Sequence, residues 1–108
     1  MTVKLFAEKT GFATVCIPDP ERDVRGAYIG DLLSWVMGKA ESGNAWITIM
    51  SGINVIAVAT LADVSCVVLA EGVMPDRDAM EAATAKGVNI LSTTLSAYEA
   101  AKRIAALI

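Results

Sequence analysis

Histidine is the most informative absence in this chain of 108 residues, which contains none. It is the commonest general base and the commonest metal ligand in proteins, so its absence disfavours most acid–base enzymes and most metal sites. Cysteine is nearly as rare, because only Cys16 and Cys66 are present and they form no C-x-x-C spacing. We therefore predict no metal site and no disulfide framework. Isolated cysteines in apolar runs are typical of small buried side chains in a reducing compartment, and we expect a cytoplasmic protein.

Positive charge is also scarce. Nine Lys and Arg residues stand against twelve Asp and Glu residues, the net charge is −3, and no basic run occurs. A protein that binds nucleic acid usually carries a clustered Lys/Arg face, so we predict no nucleic acid partner. The motifs G-x-G-x-x-G, G-x-x-x-x-G-K-[ST] and G-x-S-x-G are absent. Their absence removes the best-marked signals of dinucleotide, P-loop and hydrolase sites, and we predict no cofactor.

Catalytic candidates are limited to isolated polar side chains. Asp31, Glu71 and Lys102 are available, but their spacing indicates no acid–base pair with an orienting partner. Each is more simply interpreted as a helix cap or a solvated charge. We predict a protein without enzymatic activity and assign no catalytic residue. An accessory enzyme of phosphotransfer that uses Asp31 or Arg22 is the least supported alternative.

The longest apolar window, Ile53 to Ala70, does not have the character of a membrane span. Asp63 lies near its centre, where a carboxylate would cost about 3 kcal/mol in a bilayer. We predict a helix over Ile53–Ala62, a turn at Asp63 and a strand over Ser65–Ala70. The N-terminal stretch has no extended apolar region and no small-residue cleavage site, so no targeting segment is predicted.

Helical and extended patterns alternate along the chain. A first helix ends at Gly11, a strand follows at Ala13–Pro18, and the short segment Gly26–Gly30 is bounded by glycines and tolerates an extended conformation. From Ile29 the apolar spacing predicts a helix with a buried stripe of Ile29, Leu32, Leu33, Val36, Met37 and Ala40, with Asp31 in its first turn. Strand Trp46–Met50 precedes the Ile53 helix, which Ser51 is predicted to cap.

The last third of the chain continues the alternation. A helix opens at Asp76 and stops at Gly87, and strand Val88–Ser92 follows it. Ser96 and Glu99 have capping-box spacing at the start of a final helix, whose predicted buried stripe is Tyr98, Ala101, Ile104, Ala105 and Ile108. Such an order predicts a single α/β domain over residues 1–108, with three α/β/α layers around a mainly parallel sheet.

Small polar residues occur where the predicted strands end. Ligands of open parallel sheets gather beyond the carboxyl ends of the strands, and free backbone N–H groups there suit an anion or a polar small molecule. The candidate ligand-binding residues are Ser51, Gly52, Asn54, Gly72, Thr93 and Thr94. The competing interpretation is that the hydroxyl side chains only cap their helices.

The segment ERDVRGAYIGDLLSWVM holds the candidate contact residues, Arg22, Arg25, Tyr28, Asp31 and Trp35. Alternation turns Val24 inward and leaves the two arginines free to clamp an anion, to pair with a nearby aspartate, or to contact a partner subunit. Trp35 lies off the apolar stripe of its predicted helix, and we expect it to be exposed as an interface anchor; the competing interpretation is that it packs beneath the charged loop. The apolar fraction of 55% and a helix at Ile53 that is apolar nearly all round both favour a homodimer.

Four segments together resemble the DRTGG domain family over nearly the whole chain: ERDVRGAYIGDLLSWVM, AWITI, NVIAVATLADVSCVVLAEGVMPD and VNILSTTLSAYEAAKRI. The name motif departs from the family's pattern. Glu21 and Arg22 occupy its acidic–basic start, Arg25 stands in place of the threonine, and Gly26 with Ala27 stands in place of the glycine pair.

The resemblance implies an α/β module whose fold is related to the N-terminal domain of HPr kinase/phosphorylase. Such domains occur beside CBS pairs in some pyrophosphatases and as stand-alone proteins of anaerobic bacteria. It also implies a regulatory or interaction role, a tendency to dimerise and no established catalytic residue. We therefore predict a non-catalytic regulatory homodimer that senses a small anionic ligand or binds a protein encoded nearby. The alternative is a sensor of a nucleotide or phosphorylated metabolite at the strand ends.

Overall fold

Helices and strands alternate over most of the chain, and the computed structural model describes all 108 residues. The helices are α1 (Val3–Thr10), α2 (Leu33–Lys39), α3 (Ile53–Ala62), α4 (Arg77–Lys86) and α5 (Ala97–Ala105). The strands are β1 (Ala13–Cys16), β2 (Ala27–Ile29), β3 (Ala45–Thr48), β4 (Cys66–Leu69) and β5 (Ile90–Ser92). The predicted order of the second half, in which each strand is followed by a helix, is confirmed.

The five strands form one sheet in the order β1-β5-β4-β3-β2. Strands β2 to β5 are parallel, and β1 pairs antiparallel with β5 at one edge. The mainly parallel sheet is therefore confirmed. Because β1 runs against its neighbours, its first residue, Ala13, lies opposite Ser92 at the carboxyl end of β5.

Side-chain alternation along the strands builds two separate cores, one on each face of the sheet. Ile47 and Val68 face α1 and α5, whereas Trp46 and Val67 face the layer of α2, α3 and α4. Both faces of β3 and β4 are buried, which explains their continuous apolar sequence. The predicted three-layer α/β/α arrangement is thus confirmed.

Three helices end where the sequence predicted, because the following residue adopts the left-handed conformation. Gly11 ends α1 and Gly87 ends α4, with φ of 78° and 73°, and glycine takes this conformation at no steric cost. Asp63 ends α3 with φ of 58°, and aspartate is among the few side chains that tolerate this region. The predicted start of α5 is also confirmed, since the Ser96 hydroxyl accepts a hydrogen bond from the Glu99 amide.

The helix predicted to begin at Ile29 begins at Leu33 instead. Ile29 belongs to β2 and pairs with Ile47, so the backbone is still extended there. Only Val36 of the predicted stripe is fully buried; Ile29, Leu32 and Met37 are exposed. Periodicity misplaced the start because the last residue of an edge strand and the first turn of the helix are both apolar and fall at helical spacing.

Two further local predictions were wrong. Ile104 of the predicted α5 stripe is buried, together with Ala100, but Tyr98 is 69% exposed, and Ala105 and Ile108 are also exposed. Ser51 does not cap α3, because the N-cap residue is Gly52 and no side chain caps that helix.

Candidate functional site

A cleft opens where the carboxyl end of β5 meets the start of β1. It has a volume of about 360 Å³. We call it the β5 cleft, and its lining residues are Gly11, Ala13, Gly72, Met74, Ser92, Thr93, Thr94, Leu95 and Arg103. The antiparallel pairing of β1 with β5 creates it, because this pairing brings the end of α1 beside the β5–α5 loop.

The floor of the β5 cleft is fixed by backbone hydrogen bonds between two loops. Glu71 and Gly72 both have positive φ, at 60° and 74°. Their amides donate to the carbonyls of Leu95 and Thr93, at 2.8 and 2.9 Å. These bonds hold the β4–α4 loop against the β5–α5 loop. A side chain at Gly72 would meet no atom within 4 Å, so this residue lies on the open side of the loop.

The polar side chains of the β5 cleft are one cation, Arg103, and the hydroxyls of Ser92, Thr93 and Thr94, which can donate or accept hydrogen bonds. The Arg103 guanidinium donates through Nη1 to the Thr10 carbonyl at 2.8 Å and takes part in no salt bridge. The hydroxyls of Ser92 and Thr94 make no hydrogen bond within the protein and are accessible to solvent. The Thr93 hydroxyl accepts a bond from the Leu95 amide. A cationic group beside free hydroxyls suits an anion.

Arg103 was not predicted from the sequence. It lies in the last turn of α5, at the opposite end of that helix from the β5–α5 loop, and no local motif marks it. Its position at the cleft depends on α1 ending beside α5, where its guanidinium reaches Thr10. Gly11 leaves room for it, because a Cβ there would lie 3.3 Å from Nη1 of Arg103.

The predicted ligand-binding residues separate into three places. Gly72, Thr93 and Thr94 come together at the β5 cleft. Ser51 and Gly52 instead line an apolar crevice of about 10 Å³ between α3 and α4, which is at most large enough for one water molecule. The Ser51 hydroxyl donates to Asp76 at 3.3 Å. Asn54 is exposed in the first turn of α3 and lines neither space.

The two arginines of the charged segment do not converge on one site. Arg22 donates through Nη2 to both Oδ1 and the carbonyl oxygen of Asp63, each at 2.8 Å. The Ser42 hydroxyl donates to the other carboxylate oxygen of Asp63. The hydrogen bond from Ser42 and then that from Arg22 lower the pKa of Asp63. Arg25 is exposed, with Nε 4.0 Å from the Asp23 carboxylate, while Val24 is buried as predicted.

Asp31 ties the β2–α2 loop to the end of β3. Its Oδ1 accepts hydrogen bonds from the Thr48 hydroxyl at 2.7 Å and the Ile49 amide at 3.0 Å. Asp31 therefore precedes α2. The prediction that Asp31 lies in the first turn of this helix was wrong. Tyr28 is half-buried and packs on Gly30, where a Cβ would lie 3.0 Å from its ring.

Apolar side chains are exposed on the segments that leave the carboxyl ends of β2 and β3. We call this surface the β2-edge patch, and its members are Ile29, Leu32, Trp35, Ile49, Met50 and Ile53. Trp35 is 59% exposed, as predicted, and the Lys39 ammonium lies 5.2 Å from the centre of its ring. Strand β2 is at the edge of the sheet, so its outer side has no strand partner.

The remaining reactive groups do not form a second site. Burial raises the pKa of the Cys66 thiol to about 12, and this thiol is enclosed in the core. Cys16 is half-buried, with Sγ 3.4 Å from the Thr84 hydroxyl. No group of three or more acidic or cysteine side chains could hold a metal ion. None of the five helices has the length and apolarity that crossing a membrane requires.

Comparisons with known proteins match this chain to one family model and to a solved structure. The model of the DRTGG domain family matches residues 30–107. A crystal structure of the CBS and DRTGG domains of the regulatory region of Clostridium perfringens pyrophosphatase, complexed with its activator diadenosine tetraphosphate, has a similar fold, with a TM-score of 0.70 and 14% sequence identity. The match covers 91% of this chain and 43% of that chain. Among proteins of curated function, none matches.

Proposed function

Since this chain belongs to the DRTGG domain family, we propose that it is a regulatory module without catalytic activity that assembles as a homodimer. The similar domain in the pyrophosphatase is part of a regulatory region, which supports the regulatory role. This chain spans less than half of that protein's chain, so the activity and ligand of the pyrophosphatase are not transferred.

The β2-edge patch carries the proposal of a homodimer. Its six side chains are between 41% and 62% exposed, and covering apolar surface contributes about 25 cal/mol per Å². A large exposed apolar surface with few charges is typical of an interaction site. The exposed Trp35 within the patch adds to this, because tryptophan is enriched among residues that dominate binding energy.

The charge pattern of the patch favours a second copy as the occupant. A two-fold interface places each surface against itself, so any uncompensated charge would face a like charge. The segment from Ala45 to Ala62 contains no charged residue, and Asp31 is the one charged residue between Gly26 and Gly38. Its carboxylate is already bonded to Thr48 and Ile49. Lys39 is the exception, because its ammonium lies 5.2 Å from the centre of the Trp35 ring, so self-pairing requires the two Lys39 ammonium groups to remain at the solvent-exposed rim of the interface.

Sedimentation equilibrium tests the homodimer. We expect the native chain to be dimeric at micromolar concentration and Trp35→Glu to be monomeric, because the substitution places two carboxylates in one apolar interface. Leu61→Glu is the matched control, since Leu61 is 71% exposed on α3 but lies at the opposite end of that helix from the patch. A native chain that stays monomeric at high concentration would contradict the proposal, as would Trp35→Glu and Leu61→Glu behaving alike.

The β5 cleft favours a second function, the sensing of a small anionic ligand. It combines Gly72, Thr93 and Thr94, which were predicted from the sequence, with the guanidinium of Arg103, which forms no salt bridge. The two loops that form it are already bonded to each other, so binding requires little reorganisation. Ligand sensing and assembly would then use opposite edges of the same sheet.

A further inference from the structure

We propose that the β5 cleft binds the phosphoryl group of a small phosphorylated metabolite that has no nucleobase, and that Arg103 is its anchor. This inference rests on the second proposed function, ligand sensing, and specifies the ligand class and the residue that recognises it. It is independent of the β2-edge patch, which lies at the other edge of the sheet.

The number of free donors matches a phosphoryl group. The Arg103 guanidinium uses one N–H group on the Thr10 carbonyl, and a guanidinium can present two parallel N–H groups to one phosphoryl group. The hydroxyls of Ser92 and Thr94 add two more donors. The backbone amide of Thr94 has no acceptor in the protein and adds another. Three terminal phosphoryl oxygens can accept all of these bonds, whereas the two oxygens of a carboxylate, with about four acceptor sites, would leave a donor unused.

The charge at the cleft is also suited to an anion. None of its nine lining residues is acidic, and Arg103 is its one charged side chain. The neighbouring Lys102 points its charge elsewhere, since its ammonium lies 3.8 Å from the Glu99 carboxylate and 5.4 Å from the centre of the Tyr98 ring. Arg103 forms no ion pair that a ligand would have to break.

The lining of the cleft disfavours a nucleotide. Proteins commonly hold a nucleobase by stacking it on an aromatic ring, and no aromatic residue lines this cleft. Its apolar side chains are only Ala13, Met74 and Leu95. These can cover a short aliphatic group, so the expected ligand is a phosphate ester of a small polyol, sugar or acid.

NMR titration of the full chain with glycerol phosphate tests this inference. We expect saturable chemical-shift changes at the amides of Gly72 and Thr94, with inorganic phosphate producing changes at the same amides. Arg103→Gln should weaken glycerol phosphate binding by about tenfold or more, because it removes the charge-assisted hydrogen bonds. The double variant Ser92→Ala with Thr94→Ala tests the other donors without altering Arg103, and should also weaken binding.

Lys102→Gln is the matched control, because it removes one positive charge from the adjacent position of α5 but does not line the cleft. It should leave the affinity unchanged. Three results would each overturn the inference. The first is an equal loss of glycerol phosphate affinity in Lys102→Gln and Arg103→Gln. The others are tighter binding of acetate or adenosine monophosphate than of glycerol phosphate, and the absence of any saturable chemical-shift change. Sedimentation of the same samples separates this outcome from failure of the homodimer, since the two surfaces are distinct.

Discussion

At the scale of single residues, Asp63 shows how one side chain can serve several segments. It ends α3 in the left-handed conformation, and its carboxylate accepts hydrogen bonds from Arg22 and Ser42. Its carbonyl also accepts from the Gly43 amide at 2.9 Å. The β1–β2 loop and the α2–β3 loop are thereby joined to the α3–β4 turn. The sequence identified the turn at Asp63, but these partners are 21 and 41 positions away along the chain.

Asp63→Asn should reduce the acid sensitivity of folding. The pKa of Asp63 is lowered in the folded state, so its contribution is present above its unfolded pKa, about 4, and is lost as the pH falls through the folded value. The side chain is 57% exposed, so we expect a loss of about 1 kcal/mol or less at neutral pH. Asparagine tolerates the same backbone conformation, which isolates the effect of charge.

Urea denaturation at a series of pH values measures this effect. The unfolding free energy of Asp63→Asn should fall less steeply below about pH 4 than that of the native chain. Asp19→Asn is a suitable control, because the Asp19 side chain makes no hydrogen bond and only its backbone contacts Asn89. Parallel pH profiles for the native chain and Asp63→Asn would show that this carboxylate does not contribute.

At the scale of elements, the connection between β2 and α2 differs most from the sequence-based expectation. Helical spacing from Ile29 predicted a helix, but β3 offers a parallel neighbour that keeps Ile29 extended. Asp31 then bonds to Thr48 and Ile49 and fixes the intervening loop. Periodicity within one segment contains no information about hydrogen bonds from another segment. For this reason α3 and α4 were predicted closely, whereas the start of α2 was not.

Asp31→Ala should destabilise the fold more than its exposure suggests. Thr48 is 1% exposed, and its hydroxyl would lose its acceptor, which costs about 1–3 kcal/mol. Asp31→Asn should have a smaller effect, because the amide oxygen can accept the same bonds. Urea denaturation checks both variants, with Asp19→Ala as the control. Equal stability of Asp31→Ala and Asp19→Ala would exclude this role for Asp31.

At the scale of the whole molecule, the two proposed surfaces occupy opposite edges of the sheet. The β5 cleft lies between β5 and β1, and the β2-edge patch follows β2 and β3, which are three and two strand spacings, or about 14 and 10 Å, from β5. The intervening strands β3 and β4 are buried on both faces. A ligand in the cleft can therefore stabilise the whole domain without touching the surface proposed for assembly.

A thermal-shift series with phosphorylated metabolites tests the ligand-sensing function at this scale. A ligand that binds only the folded state, at one hundred times its dissociation constant, adds about 2.7 kcal/mol to the unfolding free energy. We expect phosphate esters of small polyols or sugars to raise the melting temperature, and the shift to be lost in Arg103→Gln. A series in which no such compound raises the melting temperature would contradict ligand sensing.

Local pattern alone determined the alternation of strands and helices, the three-layer class and most helix ends. These depend on side-chain spacing and on residues such as Gly11 and Gly87, whose preferences operate over a few positions. The sequence also predicted Gly72, Thr93 and Thr94 as ligand-binding residues, because the carboxyl ends of parallel strands meet at one edge of a sheet. The antiparallel placement of β1 and the position of Arg103 were decided only by the tertiary structure. Both depend on pairing between residues that lie 70 or more positions apart, and only the folded chain brings such residues together.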